Sequence, residues 1–161
     1  MEIRMKLKGL FQDPISRMPV VLLEEEEGSR SLPIWIGAFE ANAIALIIEN
    51  VPTPRPMTHD LLKAFLGRLG IEVERVVVTE VRNSTYFASI HCRSGESRLV
   101  FDSRPSDAIA LALRTSSPIF VEQEVVERGQ AEQRAEEDRG ADPLLRWMER
   151  LGTAELGKYK M

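Results

Sequence analysis

The sequence has little of several features that define whole classes of protein. Its 161 residues contain a single cysteine, Cys92, which excludes an internal disulfide framework and fits a reducing compartment. No apolar run approaches the roughly 18 residues that a membrane span needs. The first ten residues lack the apolar stretch and the small-residue cleavage site of a signal peptide. We therefore expect a cytoplasmic protein with no membrane partner.

An excess of positive charge is also missing. Residues 122–142 carry eight acidic and three basic side chains, whereas residues 1–121 carry 15 acidic and 14 basic ones. The body of the protein is therefore close to neutral and lacks the broad basic surface that drives non-specific nucleic-acid binding. A small basic cleft would still form if the fold brought Arg55, Arg104 and Arg114 together.

Several sequence motifs that carry chemistry are absent as well. The chain has two histidines, and His91 and Cys92 are neighbours in a predicted strand, so their side chains face opposite sides and a Cys/His zinc site is not expected. No phosphate-binding glycine loop, serine nucleophile elbow or dinucleotide fingerprint occurs. A hard cation such as magnesium or manganese remains open, because carboxylates bind it. The candidate metal ligands are Glu40, Asp60, Asp102 and Asp107.

What the sequence does contain is a regular alternation of strand-like and helix-like segments. Period-two and β-branched patterns predict strands over 3–11, 73–81, 85–92, 97–102 and 117–126, and a strand hairpin over 18–37. Apolar and amphipathic patterns predict helices over 38–50, 58–70 and 105–114. Thr58 is expected to cap the second helix, and Gly70 to end it in the left-handed conformation. Trp35 and Phe39 are expected in the core and not as base-stacking surfaces.

A short repeat suggests that the chain contains two related halves. The sequence Ala-Ile-Ala-Leu occurs at 43–46 and again at 108–111, an offset of 65 residues. At this offset both halves have the order strand, strand, strand, buried helix. We predict an internal duplication and an α+β fold with mostly antiparallel sheets and buried helices. The strand near 118–121 either pairs across the two halves or mediates a dimer.

Composition divides the chain into three parts. Residues 1–127 form the predicted domain. Residues 128–142 are polar, charged and contain glycine, which indicates a mobile acidic linker. Residues 143–161 have the pattern of a short helical tail that begins with a proline.

Two predicted helix starts carry polar groups that a site could use. Pro105 suits the first position of the third helix, and Ser106 and Asp107 would then satisfy its first turn. That structural role does not account for Asp102 and Arg104, which the first half lacks.

The second helix starts at His59 and Asp60. Two interpretations remain open: Asp60 complements the helix dipole and His59 is exposed, or both side chains face an anion at the helix start. In the latter case His59 is suited to general acid–base chemistry and Asp60 to a cation. Arg55 lies in the preceding loop and suits a phosphate.

Four ordered blocks resemble a known family: LPIWIGAFEANAIA, PRPMTHDLL, TYFASI and DSRPSDAIALALRTSSPIFV. Together they resemble the bifunctional nuclease domain over about residues 3–126, and the final segment resembles the helical tail of bacterial members. The resemblance implies nuclease activity on DNA and RNA, assisted by a divalent metal, and therefore a nucleic-acid partner.

The resemblance and the two helix starts give one hypothesis and an alternative. In the nuclease hypothesis the catalytic candidates are His59, Asp60, Asp102 and Asp107, and the substrate-binding candidates are Arg55, Arg104 and Ser106. A cation on the acids would activate water while the arginines hold the phosphate. The alternative is a non-catalytic dimeric binding or regulatory module for an anionic ligand, nucleic acid or partner protein. A scaffold whose tail recruits a partner also remains open. A homodimer is expected.

Overall fold

The computed structural model describes residues 1–138, which form an α+β fold and confirm the predicted class. Elements occur in this order: β1 (Glu2–Gln12), β2 (Pro19–Glu25), β3 (Ser31–Trp35), α1 (Ala38–Ile48), α2 (Thr58–Arg68), β4 (Ile71–Arg82), β5 (Thr85–Ser94), β6 (Ser97–Ser103), α3 (Pro105–Thr115), β7 (Ile119–Glu122) and α4 (Gln123–Asp138).

The strands form one seven-stranded sheet in the order β3-β2-β1-β7-β4-β5-β6. β7 is antiparallel to β1 and parallel to β4, and the other neighbouring pairs are antiparallel. β7 therefore joins the two halves within one chain, which answers the question left open by the sequence. The strand predicted over 117–126 is shorter than expected, since α4 begins at Gln123.

The order of elements repeats as the sequence predicts. Three strands and a helix occur before α2 and again after it, and the two sets of strands lie on opposite sides of β7. This arrangement agrees with the predicted duplication, which itself stays a prediction.

α1 and α3 pack together and carry the polar groups of the candidate site. Ile44 of α1 and Ile109 of α3 are fully buried in the core. The guanidinium of Arg114, near the end of α3, donates to the carbonyl of Ala43 at 2.8 Å and so fixes α1 against α3. This packing brings the N-terminal ends of the two helices close to each other.

α2 is amphipathic, as the sequence predicts, yet none of its residues is buried. Leu66 packs against the core, but the rest of the apolar stripe is exposed: Leu61, Leu62, Phe65 and Leu69. The predicted cap is off by one residue, because Met57 and not Thr58 is the capping residue. Gly70 has a φ of 69°, which confirms the predicted left-handed end.

The prediction of a linker is wrong for residues 128–138, because these residues form the second part of α4. The helix is anchored by the buried Val125 and Val126, and the side chain of Arg128 donates to the carbonyl of Val81. Polarity suggested a linker, but glutamate, glutamine, alanine and arginine are also good helix formers. The rest of the predicted linker and the tail over 143–161 lie outside the described residues. Among the helices of residues 1–138, none is long and apolar enough to cross a membrane.

Candidate functional site

The first turns of α2 and α3 meet at a hydrogen bond between His59 and Asp107. His59 Nε2 lies 2.9 Å from Asp107 Oδ1, and the His59 side chain is only 12% exposed. The packing of α2 on α3 brings these residues together, although 48 positions separate them in the chain. The carboxylate therefore orients the imidazole.

Arg104 links this pair to the start of α1. Its Nε donates to Asp107 Oδ2 and its Nη1 donates to Glu40 Oε1, both at 2.7 Å. The Arg104 side chain is 63% exposed. The two carboxylates bind its Nε and Nη1, so Nη2 is the guanidinium nitrogen that these ion pairs do not use. The site thus draws one carboxylate from the first turn of each of α1 and α3, and the imidazole from α2.

Asp107 does not cap α3 in the way that the sequence suggests. Pro105 occupies the first helical position as predicted, and Arg104 precedes it in an extended conformation. No side chain caps this helix, because both Asp107 oxygens are taken by Arg104 and His59. The expectation that Asp107 accepts backbone N–H groups is therefore wrong, and its interactions join three helices instead.

The ion pairs keep both carboxylates charged. Burial raises the pKa of Asp107, but hydrogen bonds from Arg104 and His59 outweigh it and hold that pKa below its ordinary value. The backbone N–H of Glu40 and the hydrogen bond from Arg104 lower the pKa of Glu40. Hydrogen bonds to Asp107 and Glu40 raise the pKa of Arg104. Glu40, Asp107 and Arg104 therefore stay charged around neutral pH.

Two neighbouring cavities open on this cluster and share four lining residues: Thr58, His59, Arg104 and Asp107. The smaller has a volume of about 330 Å³ and is also lined by Phe39, Glu40, Asn42, Ala43 and Met57. The larger has a volume of about 730 Å³ and is also lined by Leu62, Leu66, Ile90, Cys92, Phe101, Asp102, Ser103 and Leu111. Both volumes lie in the range typical of small-molecule sites.

Asp102 lies in the same cleft as His59 and Arg104. It is an exposed residue of β6, opposite Ser89 of β5, and lines the larger cavity. It takes part in no ion pair with any residue of the described range. The structure therefore brings five of the sequence candidates to the cavities: Glu40, His59, Asp102, Arg104 and Asp107.

Asp60 points away from the cavities, although it follows His59 directly. Its Oδ2 accepts the backbone N–H of Met57 at 2.9 Å, and its Oδ1 accepts Arg114 Nε at 2.7 Å. Both interactions lower the pKa of Asp60. The Arg114 side chain is only 3% exposed. Asp60 therefore has structural partners, and its catalytic and metal-binding roles stay predictions.

The other two substrate-binding candidates do not line either cavity. Arg55 is exposed in the loop before α2, and Ser106 is buried in the first turn of α3. Since Arg114 is buried and bonded to Asp60, the basic cleft that the three arginines would have formed is not present. Arg104 is the arginine that faces the cavities.

The carboxylates do not form a metal centre as they stand. No group of three histidine, cysteine, aspartate or glutamate side chains within residues 1–138 is arranged to hold a metal ion. Glu40 and Asp107 both bind the Arg104 guanidinium, which takes the position between them. The donor set therefore does not fit a divalent cation in this arrangement.

Two residues of the site were missed by sequence reasoning. Phe39, expected in the core, is 90% exposed at the rim of the smaller cavity, and Trp35 is partly exposed, so both core predictions are wrong. Asn42 lines the same cavity, and its Oδ1 is buried with no hydrogen-bond partner among the described residues. The sequence repeat could have identified both residues as part of the site, because the 65-residue offset aligns Phe39 with Arg104 and Asn42 with Asp107.

Comparison with known proteins gives one family. A family model described as the bifunctional nuclease domain matches residues 21–134, which include every residue of the cluster. An uncharacterized protein of Mycobacterium tuberculosis is 39% identical over 127 residues, 75% of this chain and 72% of that protein. Bifunctional nuclease 1 of Arabidopsis thaliana and bifunctional nuclease 2 of Oryza sativa subsp. japonica are each 32% identical over 107 residues. Those alignments cover 64% of this chain and 33% of each plant protein.

Proposed function

Because the chain belongs to the bifunctional nuclease domain family, we propose that it hydrolyses phosphodiester bonds of DNA, RNA or both. The observation that carries the proposal is the hydrogen bond between His59 and Asp107 at the shared rim of two cavities, with Arg104 beside it. An oriented imidazole next to a guanidinium supplies a proton acceptor and a phosphate ligand in one place.

His59 is the general base in this proposal. Nε2–H of His59 donates a hydrogen bond to the Asp107 carboxylate, and this selects the tautomer in which Nδ1 is the basic nitrogen. Nδ1 then takes a proton from the attacking water, and Asp107 stabilises the imidazolium that results. Asp107 acts here as a positioning residue.

Arg104 is the phosphate ligand. Glu40 and Asp107 hold the guanidinium in a fixed plane through Nη1 and Nε, while Nη2 remains for a phosphate oxygen. Because the guanidinium is already fixed, little reorganisation is needed when negative charge develops on the phosphate.

The negative charge of the site opposes the binding of a phosphodiester. Glu40, Asp102 and Asp107 supply three carboxylates around one guanidinium, so the cluster is negative when His59 is neutral. A phosphodiester is repelled by this excess. Assays with and without chelator test whether cleavage needs the magnesium or manganese ion expected from the sequence.

Cleavage assays test the proposal. Purified protein is incubated with single-stranded and duplex DNA and RNA, and products are resolved on a gel. We expect the double variant Asp102→Ala/Asp107→Ala to lose cleavage. Cleavage by the double variant at the unaltered rate would contradict the positioning role of Asp107 and the catalytic role predicted for Asp102.

A second candidate function is the binding of an anionic ligand without hydrolysis, by a dimeric regulatory module. It is favoured by the ion pairs that Glu40 and Asp107 form with Arg104, and by the lack of a three-ligand metal group within the described part of the chain. Binding of nucleic acid with no product under any metal condition would support this candidate. The homodimer is a proposal too, and the exposed apolar stripe of α2 supports it.

A further inference from the structure

Two exposed aromatic rings flank the polar cluster. Phe39 lies at the smaller cavity and is 90% exposed, and Phe101 lines the larger cavity and is 45% exposed. The rings belong to α1 and β6, and the residues shared by both cavities lie between them. Exposed aromatic side chains on either side of a phosphate ligand are the kind of surface on which successive unpaired bases stack.

The smaller cavity also has an unused hydrogen-bonding group. The Asn42 Oδ1 atom is buried and has no partner in residues 1–138. Buried polar groups nearly always have a partner, so an unsatisfied one in a cavity wall indicates a group that a ligand satisfies. The N–H groups on the edge of a nucleobase are donors of the required kind.

The larger cavity combines a polar rim with an apolar floor. Asp102, Ser103 and Arg104 lie on one side, and the floor is formed by Leu62, Leu66, Ile90 and Leu111. The apolar face of a base fits the floor while the sugar-phosphate backbone stays near the guanidinium.

We propose that the site takes an unpaired segment of nucleic acid. One base stacks on Phe39 with its edge on Asn42, the next enters the larger cavity beside Phe101, and the phosphate between them lies at Arg104. This inference rests on the proposed function, because it specifies the substrate class of the same site. Phe39, Asn42 and Phe101 are specificity-determining residues in this arrangement.

Duplex nucleic acid cannot offer the same groups. Its base faces are stacked and its pairing edges are occupied, so a base must leave the helix before it can enter either cavity. The near-neutral body of the protein offers no broad basic surface to offset that cost. A single strand therefore binds more tightly than a duplex of the same sequence.

Fluorescence anisotropy with a labelled short oligonucleotide tests the inference directly. The full chain is titrated at 4 °C onto the single strand and onto its blunt duplex, and a gel checks that the strands stay intact. We expect the Kd for the single strand to be about tenfold lower, and Phe39→Leu to raise it about tenfold. Phe65→Leu is the matched control, because Phe65 is exposed on α2 and lines neither cavity.

A base-free site in the oligonucleotide supplies the second arm. A series of oligonucleotides carries the base-free nucleotide at each position in turn. At one position we expect the missing base to weaken binding, and Phe39→Leu or Asn42→Ala to cause no further loss of affinity. Equal affinity for single strand and duplex would overturn the inference, as would equal effects of Phe39→Leu and Phe65→Leu. If Phe39→Leu changes the oligomeric mass of the protein and leaves both Kd values unchanged, the ring acts in self-association, and this result also overturns the inference.

These outcomes are separable from those of the proposed function. If cleavage depends on His59 but single strand and duplex bind equally, hydrolysis stands and the unpaired-base inference fails. If the single strand binds through Phe39 and Asn42 without being cut, the inference stands and hydrolysis fails.

Discussion

His59 Nε2 and Asp107 Oδ1 lie 2.9 Å apart and join the first turn of α2 to the first turn of α3. The sequence alone explains Asp107 as a residue that satisfies the first turn of α3, and His59 as an exposed residue at the start of α2. The structure shows neither, because the two side chains bind each other. The contact depends on the packing of α2 against α3, and it makes Asp107 the residue that orients the imidazole.

Asp107→Asn should separate orientation from folding. The amide keeps the shape of the carboxylate, but it no longer fixes the tautomer of His59 or stabilises the imidazolium, so we expect kcat to fall about 100-fold. Kinetic assays on folded protein measure this. Asp60→Asn is the control, since Asp60 lies in the same first turn of α2 as His59 and faces Arg114. Equal losses in the two variants would contradict the role given to Asp107.

Asp60→Asn should affect stability. Arg114 is almost fully buried, and the substitution leaves its guanidinium without a charged partner. Because Asp60 is partly exposed, we expect a loss of about 1–3 kcal/mol in the free energy of unfolding. Urea denaturation measures the loss. Unchanged stability together with a large fall in kcat would reverse the assignment and return Asp60 to the active site.

Arg104→Lys should weaken catalysis although the charge is kept. A lysine cannot contact Glu40 and Asp107 in the plane of a guanidinium and still present a nitrogen to phosphate. We expect kcat/KM to fall about tenfold for Arg104→Lys and about 100-fold for Arg104→Ala. Arg98→Lys, at an exposed position of β6 outside both cavities, is the control. An unchanged kcat/KM for Arg104→Ala would exclude a phosphate-binding role.

Acid should destabilise the fold through its paired carboxylates. The pKa values of Glu40, Asp60 and Asp107 are lowered in the folded protein, so each carboxylate contributes stability above its ordinary pKa of about 4. That contribution is lost as the pH falls through the lowered folded-state values. Unfolding free energies measured between pH 6 and pH 3, about the range concerned, should decrease towards acid. Asp107→Asn should make that decrease shallower, and an identical slope would contradict the ion pairs.

The exposed stripe of α2 predicts self-association. Leu61, Phe65 and Leu69 present a continuous apolar face that the other residues of 1–138 leave uncovered. Sedimentation analysis should find a dimer, and Phe65→Glu should convert it to a monomer. A monomeric wild-type protein would contradict this proposal.

Local signals in the sequence were sufficient for most of the fold. The period-two strands, Pro105 at the first position of α3 and Gly70 after α2 all depend on neighbouring residues, and the structure confirms them. The place of β7 in the sheet was not predictable, because pairing with both β1 and β4 is a tertiary choice.

The site was only partly predictable for the same reason. His59, Arg104 and Asp107 were identified as chemically competent, but the direction of Asp60 depends on a buried arginine 54 residues away. The sequence predicts Phe39 in the core, and only the packing of α1 shows that its ring is exposed. The polar composition of residues 128–138 also led to the prediction of a linker where the structure has a helix.

The most direct test of the account compares the two histidines. Cleavage of a single-stranded oligonucleotide is measured for the wild-type chain, for His59→Ala and for His91→Ala, whose histidine lies on β5 beside Ser89 and outside both cavities. The account predicts a loss of about 100-fold or more for His59→Ala and a rate close to wild type for His91→Ala. Equal rates for all three proteins would contradict it.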